Sequence, residues 1–111
     1  VIYGSAQNLL SSLEREKFGG GSGEREKELL DCDLLIIDDL GSEFSTQFTV
    51  ACIYNIINTR INLGKPVIIS TNLTGEELEA KYTQRITSRI IGSYVSLLFI
   101  GKDIRQLKKF Y

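Results

Sequence analysis

The chain has 111 residues, of which 42% are hydrophobic, and this length and composition suit one domain with a single modest core. It contains no histidine, and Cys32 and Cys52 do not form a CxxC pair, so neither a zinc site nor a Cys-His nucleophile is predicted. Since no apolar run is long enough to cross a bilayer and the first residues lack the pattern of a secretory signal, we expect a cytoplasmic protein without membrane contact.

The net charge of −1 hides an uneven distribution of charged residues. Residues 1–80 carry 6 basic and 13 acidic side chains, for a net charge of −7, whereas residues 81–111 carry 7 basic and 1 acidic, for a net charge of +6. The basic last third predicts either contact with nucleic acid or phosphate, or a solvated face that complements an acidic neighbour.

The first third of the chain predicts a strand followed by two helices. Residues 1–3 are apolar and predict a strand, and residues 6–17 carry leucines at helical spacing. Residues 19–23 have the glycine-rich composition of a flexible connection, and because no Gly-Lys-Ser/Thr follows them they do not form a P-loop. Residues 24–30 predict a short charged helix.

The rest of the chain alternates between strands and helices. Residues 34–37 and 67–70 are continuous apolar runs of strand length, typical of strands buried on both faces. Apolar residues at steps of three and four predict a helix over 46–63, which Gly64 and Pro66 end.

A further helix is predicted to begin at Thr74 and run towards Ile91, because Thr74 and Glu77 form a capping box. Its predicted apolar face consists of Leu78, Tyr82, Ile86 and Ile90. A last strand is predicted over 95–100. Strands that alternate with helices indicate an α/β domain with a mainly parallel sheet.

Polar side chains follow the two buried strands: Asp38 and Asp39 end the first, and Asn72 follows the second. In open α/β sheets ligands bind outside the carboxyl ends of the strands, so these residues predict one shared site. Asp38 would hold Mg²⁺, Asp39 would orient or deprotonate a water molecule, and Asn72 would bind that water or a terminal phosphate. The alternative is an acidic strand-to-loop turn without chemistry.

Arginines near the end of the chain form a second group of candidates. Arg85 and Arg89 lie four residues apart on a predicted helix, so they either grip a phosphate together or pair with nearby acids. Arg105, Lys108 and Lys109 either follow a nucleic-acid backbone or solubilise the terminus. No base-reading motif is visible, so contact with nucleic acid is expected at the backbone or by stacking.

Four segments make the chain similar to the AAA+ ATPases of bacterial helicase loaders of the DnaC and DnaI type and to the related transposon ATPase IstB. They are residues 34–41, 58–60, 65–73 and 85–90. The resemblance extends from Val1 to Arg105. It implies a three-layer P-loop NTPase sandwich with a mainly parallel sheet, the cofactors ATP and Mg²⁺, and loading of a replicative helicase onto single-stranded DNA.

The resemblance also implies a role for each candidate residue by its position in the motifs. Asp38 and Asp39 would be the Walker B pair, with Asp38 on Mg²⁺ and Asp39 activating water, and Asn72 would be the sensor 1 residue.

The arginines take their implied roles from the same resemblance. Arg89 would be an arginine finger that reaches the ATP of an adjacent subunit, which implies a homo-oligomer, and Arg85 would support it. Arg105 would be a sensor 2 residue.

One departure from the family is large, because the chain contains no Gly-x-x-x-x-Gly-Lys-Ser/Thr motif. In the family the strand before that motif lies between the strand that carries Asn72 and the one corresponding to 95–100. We therefore expect a partial AAA+ core that begins after the P-loop helix and binds ATP weakly or not at all by itself.

Three alternatives stay open at this point. An IstB-like ATPase that assists transposition fits the same residues. A non-hydrolytic module that binds DNA or a partner protein through the basic last third belongs to a different class. A phosphoacceptor receiver domain ranks below both, because Asn72 stands where such a domain needs an aspartate.

Overall fold

The computed structural model describes residues 1–93, which form three strands and five helices. The elements in chain order are β1 (Ile2–Ser5), α1 (Ala6–Phe18), α2 (Glu24–Asp31), β2 (Leu35–Leu40), α3 (Gln47–Asn62), β3 (Val67–Thr71), α4 (Gly75–Lys81) and α5 (Gln84–Ser93). The strand predicted over 95–100 and the basic residues Arg105, Lys108 and Lys109 lie outside the described residues. None of the helices within residues 1–93 is long and apolar enough to cross a membrane.

The three strands form a parallel sheet in the order β1-β2-β3. Parallel neighbours cannot be joined by a tight hairpin, so the chain leaves one edge of the sheet after each strand and returns through helices. The predicted α/β class with a parallel sheet is confirmed. The central strand is the one whose apolar run ends in two aspartates.

The hydrophobic core lies around β2 and the helices that pack near it. Leu35 and Ile37 of β2 are fully buried, and α1 packs on β1 and β2. The predicted leucine face of α1 is buried, as are three isoleucines of α3; these residues are Leu9, Leu10, Leu13, Ile53, Ile56 and Ile57. This packing places β2 at the centre of the core.

Capping hydrogen bonds and a glycine lie at the two ends of α3, whose bounds agree with the predicted ones to within one residue. The Thr46 hydroxyl accepts a hydrogen bond from the backbone N–H of Thr49, and the Thr49 hydroxyl accepts one from the N–H of Thr46. Gly64 adopts a left-handed φ of 69° just beyond the helix. Two reciprocal bonds at one end and a glycine at the other are local signals for where the helix begins and ends.

The glycine-rich segment 19–23 joins α1 to α2. Gly20 and Gly23 have positive φ angles of 80° and 85°, which residues with a Cβ rarely adopt. The Glu16 carboxylate accepts a hydrogen bond from the backbone N–H of Arg25 at 2.9 Å, so it satisfies a free N–H in the first turn of α2. The flexibility expected for this connection stays a prediction.

The single helix predicted from Thr74 towards Ile91 is wrong, because the chain forms two helices, α4 and α5, with a break at Tyr82 and Thr83. Tyr82 has φ −104° and ψ −126°, far from helical values, and the Thr83 hydroxyl accepts a hydrogen bond from the N–H of Ile86 at 3.2 Å. A threonine side chain can cap a new helix in this way instead of continuing the old one.

Three of the four residues predicted for the apolar face are buried despite the break, and Ile90 is partly buried. Leu78, Tyr82 and Ile86 are 6%, 5% and 1% exposed. Burial of these side chains therefore does not depend on one continuous helix.

Arg60 is a buried cation within the fold, with 0% of its surface exposed. Its Nη1 donates to the carbonyl oxygens of Leu29 at 2.9 Å and Leu30 at 3.2 Å, and its Nη2 donates to the carbonyl oxygen of Pro66 at 2.8 Å. The carbonyls in the last turn of a helix lack intrahelical partners, and a cation is favourable there. Arg60 thus joins α3 to the end of α2 and to the residue that leads into β3.

Candidate functional site

The two aspartates lie in a β-bulge at the carboxyl end of β2. Ile37 pairs with Ile69 and Leu40 pairs with Thr71, so two residues of β2 face one residue of β3. Asp39 has a φ of 57°, the left-handed value expected where a bulge distorts a strand. Such bulges redirect side chains, and this one interrupts the pairing of β2 with β3 at the two aspartates.

Ser70 is the β3 residue opposite the bulge, and its hydroxyl contacts both aspartates. The hydroxyl donates to Oδ1 of Asp38 at 2.5 Å and accepts from the backbone N–H of Asp39 at 2.9 Å. The Tyr3 hydroxyl donates to the other oxygen of Asp38 at 3.2 Å, and this bond raises the pKa of Tyr3 above its ordinary value. The half-buried Asp38 carboxylate is therefore oriented at both oxygens, while Asp39 is exposed.

Ser70→Ala is expected to lower the free energy of unfolding by about 1 kcal/mol, since it removes one hydrogen bond to a carboxylate and one to a backbone N–H at a partly solvated site. Ser70→Thr keeps the hydroxyl and serves as the matched control. Urea unfolding followed by circular dichroism measures the difference. Equal loss in both variants would contradict a role for the hydroxyl.

Asn72 is the first residue after β3 and is exposed to solvent. The Thr71 hydroxyl fixes the strand end before it, because it donates to the carbonyl oxygen of Leu40 at 2.5 Å and accepts from the N–H of Leu73 at 3.1 Å. The register thus brings Asp38, Asp39 and Asn72 to the carboxyl ends of two adjacent parallel strands, and these three residues are called the acidic edge below. Their individual roles stay predictions.

The arginines of α5 contact α3 instead of joining this acidic edge. The Arg85 guanidinium lies 4.7 Å from the centre of the Tyr54 ring, a cation–π contact. Arg89 Nη2 donates to Oδ1 of Asn58 at 2.6 Å and Oδ1 of Asn62 at 3.0 Å. The ion pairs found within residues 1–93 involve neither arginine, so the predicted pairing with nearby acids is not seen in that part of the chain. Arg105 lies outside the described residues.

Sequence reasoning missed Glu43, which is 2% exposed and lies just after the bulge. Its carboxylate accepts hydrogen bonds from the Gly41 N–H at 2.8 Å and from the Tyr82 hydroxyl at 2.5 Å, and Lys81 Nζ lies 3.8 Å away. Burial and the bond to Glu43 raise the pKa of Tyr82 well above its ordinary value. No local pattern marks this glutamate as buried, because two of its partners, Tyr82 and Lys81, come from a segment about 40 residues further along the chain.

The acidic edge has the donor set that Mg²⁺ prefers, although it is not a closed metal cage. Within residues 1–93 no group of three or more His, Cys, Asp or Glu side chains comes together. Mg²⁺ is commonly held by one or two carboxylates together with waters and substrate phosphates, so Asp38 and Asp39 fit such a site. The residues present therefore suit a metal that arrives with a phosphate ligand.

Solved structures with the same fold define the class of protein. The chain is similar to the DnaC helicase loader, with a TM-score of 0.71, 22% identity and coverage of 82% of this chain and 56% of that chain. A DNA replication initiation factor matches with a TM-score of 0.79, 25% identity and coverage of 98% and 33%. AMPPCP-bound DnaA from Aquifex aeolicus matches with a TM-score of 0.75, 25% identity and coverage of 84% and 29%. The fold is that of the AAA+ class of P-loop NTPases.

Within that class, residues 1–98 match the family described as "IstB-like ATP binding protein", and the chain belongs to this family. It is also 29% identical over 91 residues to the uncharacterized protein YdaV of Escherichia coli K12, covering 81% of this chain and 37% of that relative. The chain thus spans well under two thirds of the length of these relatives. The resemblance to DnaC-type and IstB-type AAA+ proteins is confirmed.

Proposed function

We propose that this chain supplies the metal-binding and water-activating half of an AAA+ ATPase site. The observation that carries the proposal is the bulged acid pair, in which Ser70 and Tyr3 orient the Asp38 carboxylate and Asp39 is left exposed. Bound Mg²⁺ would neutralise phosphate charge. Asp38 would hold it through a carboxylate oxygen, Asp39 would orient the attacking water and accept its proton, and Asn72 would donate its amide N–H to a phosphate oxygen.

The phosphate-cradling half of such a site has no counterpart in this sequence, which contains no Gly-Lys-Ser/Thr loop. P-loop backbone N–H groups and the loop lysine supply much of the binding to the β- and γ-phosphates. We infer that the chain acts within a longer protein, as its coverage of 29% to 56% of the similar solved chains supports.

The 111-residue chain alone is expected to bind Mg·ATP weakly or not at all, because side chains at one sheet edge cannot replace a P-loop. Isothermal titration calorimetry measures this directly, with a longer protein that includes a Gly-Lys-Ser/Thr loop as the positive control. Micromolar binding by the 111-residue chain would contradict the proposal.

The similarity to the DnaC helicase loader and to a replication initiation factor supports a finer proposal. The longer protein would use ATP to place a replicative helicase on single-stranded DNA, and it would assemble as a homo-oligomer with Arg89 and Arg85 facing the neighbouring subunit's ATP. Arg105 would contact the nucleotide as sensor 2. A helicase-loading assay on single-stranded circular DNA tests this function, and failure to recruit any replicative helicase would overturn it.

A second candidate is an ATPase that assists transposition, which the family match to IstB-like proteins favours. Both candidates share the acidic edge, so the partner distinguishes them: binding of a transposase in place of a helicase would support the second.

If the chain is instead a non-hydrolytic module, the isolated chain is expected to bind DNA with an affinity that falls as the salt concentration rises, because phosphate contacts release counterions.

A further inference from the structure

Two segments that are distant in sequence meet at the buried carboxylate of Glu43. One is the turn that follows the aspartates, where the N–H of Gly41 donates to Glu43 Oε1 at 2.8 Å. The other is the junction between α4 and α5, where the Tyr82 hydroxyl donates to Glu43 Oε2 at 2.5 Å. Lys81 adds bonds from its ammonium to the carbonyl oxygens of Gly41 and of Glu43, the latter at 2.8 Å. The turn after the aspartates and the helix junction are thus joined by four hydrogen bonds, of which the one between Tyr82 and Glu43 is buried.

The junction has a direct geometric relation to the arginines of α5. Tyr82 is the last residue before the Thr83 cap, so its side chain anchors the point at which α5 starts. One and two turns further on, Arg85 lies over the Tyr54 ring and Arg89 donates to the amides of α3. Since a helix is stiff over this length, a change at Tyr82, two residues before α5 begins, is expected to change where both guanidinium groups lie.

We propose that Glu43 is a positioning residue that couples the turn after Asp39 to the arginine-bearing helix α5 through the hydroxyl of Tyr82. A shift of this turn would move the Glu43 carboxylate and, through its hydrogen bond, the Tyr82 side chain. Arg85 and Arg89 would then move with the start of α5. A buried carboxylate is suited to this task, because leaving either of its hydrogen-bond donors unpaired is costly. The idea that this coupling links ATP hydrolysis to the arginines of α5 rests on the proposed function. The coupling between the turn and α5 does not depend on it.

The test uses the 111-residue chain without nucleotide, so its outcome is independent of whether the protein hydrolyses ATP. Tyr82→Phe removes only the hydroxyl that contacts Glu43. Tyr54→Phe removes a hydroxyl from the ring under Arg85 while keeping the ring, and it serves as the matched control. The readouts are the Nε–Hε signals of Arg85 and Arg89 in ¹⁵N-correlated NMR spectra, recorded well below the measured Tm of each variant.

The Tyr82→Phe change is expected to shift the signals of both arginines and to reduce the ring-current displacement of Arg85, whereas Tyr54→Phe leaves the Arg89 signal in place. A fall in Tm with both arginine signals unchanged would show that the contact is only structural and would overturn the proposal. If Tyr82→Phe does not fold, Glu43→Gln is measured by the same criteria, since it keeps the length of the side chain and the acceptor for the Gly41 N–H.

Discussion

Arg60→Met is expected to lower the free energy of unfolding by about 3 kcal/mol. The change removes the guanidinium group that donates to the carbonyl oxygens of Leu29 and Leu30. Each buried backbone carbonyl left without a donor costs about 1 to 3 kcal/mol. The carbonyl of Pro66 keeps a second donor, the N–H of Leu35 at 3.3 Å, so its loss contributes less. A domain of this size is typically stable by about 5 to 15 kcal/mol, so the effect is a large fraction of the total. Urea unfolding of the 111-residue chain measures it.

Arg25→Met is the matched control for that experiment. Arg25 forms a salt bridge with Glu28 at 3.3 Å, with side chains 33% and 57% exposed, and exposed pairs contribute about 0 to 1 kcal/mol. Arg60→Lys should lie between the two, because an ammonium keeps the charge but cannot reach separate carbonyls with a planar fork. Equal destabilisation by Arg60→Met and Arg25→Met would show that the buried hydrogen bonds contribute little.

Asp39→Asn in the longer ATPase is expected to reduce the turnover of ATP by about 100-fold to 10,000-fold, the usual contribution of a general base, while much of the nucleotide binding is retained. Asparagine tolerates the left-handed conformation at least as well as aspartate, so the bulge at a φ of 57° is expected to be preserved. The change therefore removes the proton acceptor with little change to the backbone. Phosphate release and Mg·ATP binding, measured separately, test the two halves of this expectation.

Asp33→Asn removes an exposed carboxylate two residues before β2 and provides the control for charge. It is expected to leave turnover unchanged. Unchanged turnover in the Asp39→Asn variant would remove Asp39 from the proposed chemistry, whereas loss of Mg·ATP binding together with turnover would reassign it to nucleotide or metal binding.

Local sequence signals predicted most of the secondary structure correctly. Apolar runs identified β2 and β3, and the helical spacing with Thr46 and Gly64 identified α3 to within one residue at each end. These features depend on neighbours within about four residues, so they can be inferred without a fold. The break before α5 could not be inferred, since Thr83 could equally continue a helix or cap a new one, and burial of the Tyr82 ring against Glu43 accompanies the second choice.

The sequence by itself determined the parallel α/β class and the placement of Asp38, Asp39 and Asn72 at the carboxyl ends of two strands, because parallel strands bring such ends to one side of a sheet. Only the tertiary structure decided that Ser70 lies opposite a bulge and contacts both aspartates, since that depends on the register between strands about 30 residues apart. The tertiary structure also decided that Glu43 and Arg60 are buried. A charged side chain enters a core only where donors or acceptors from distant segments surround it, and no local pattern shows where those segments will meet.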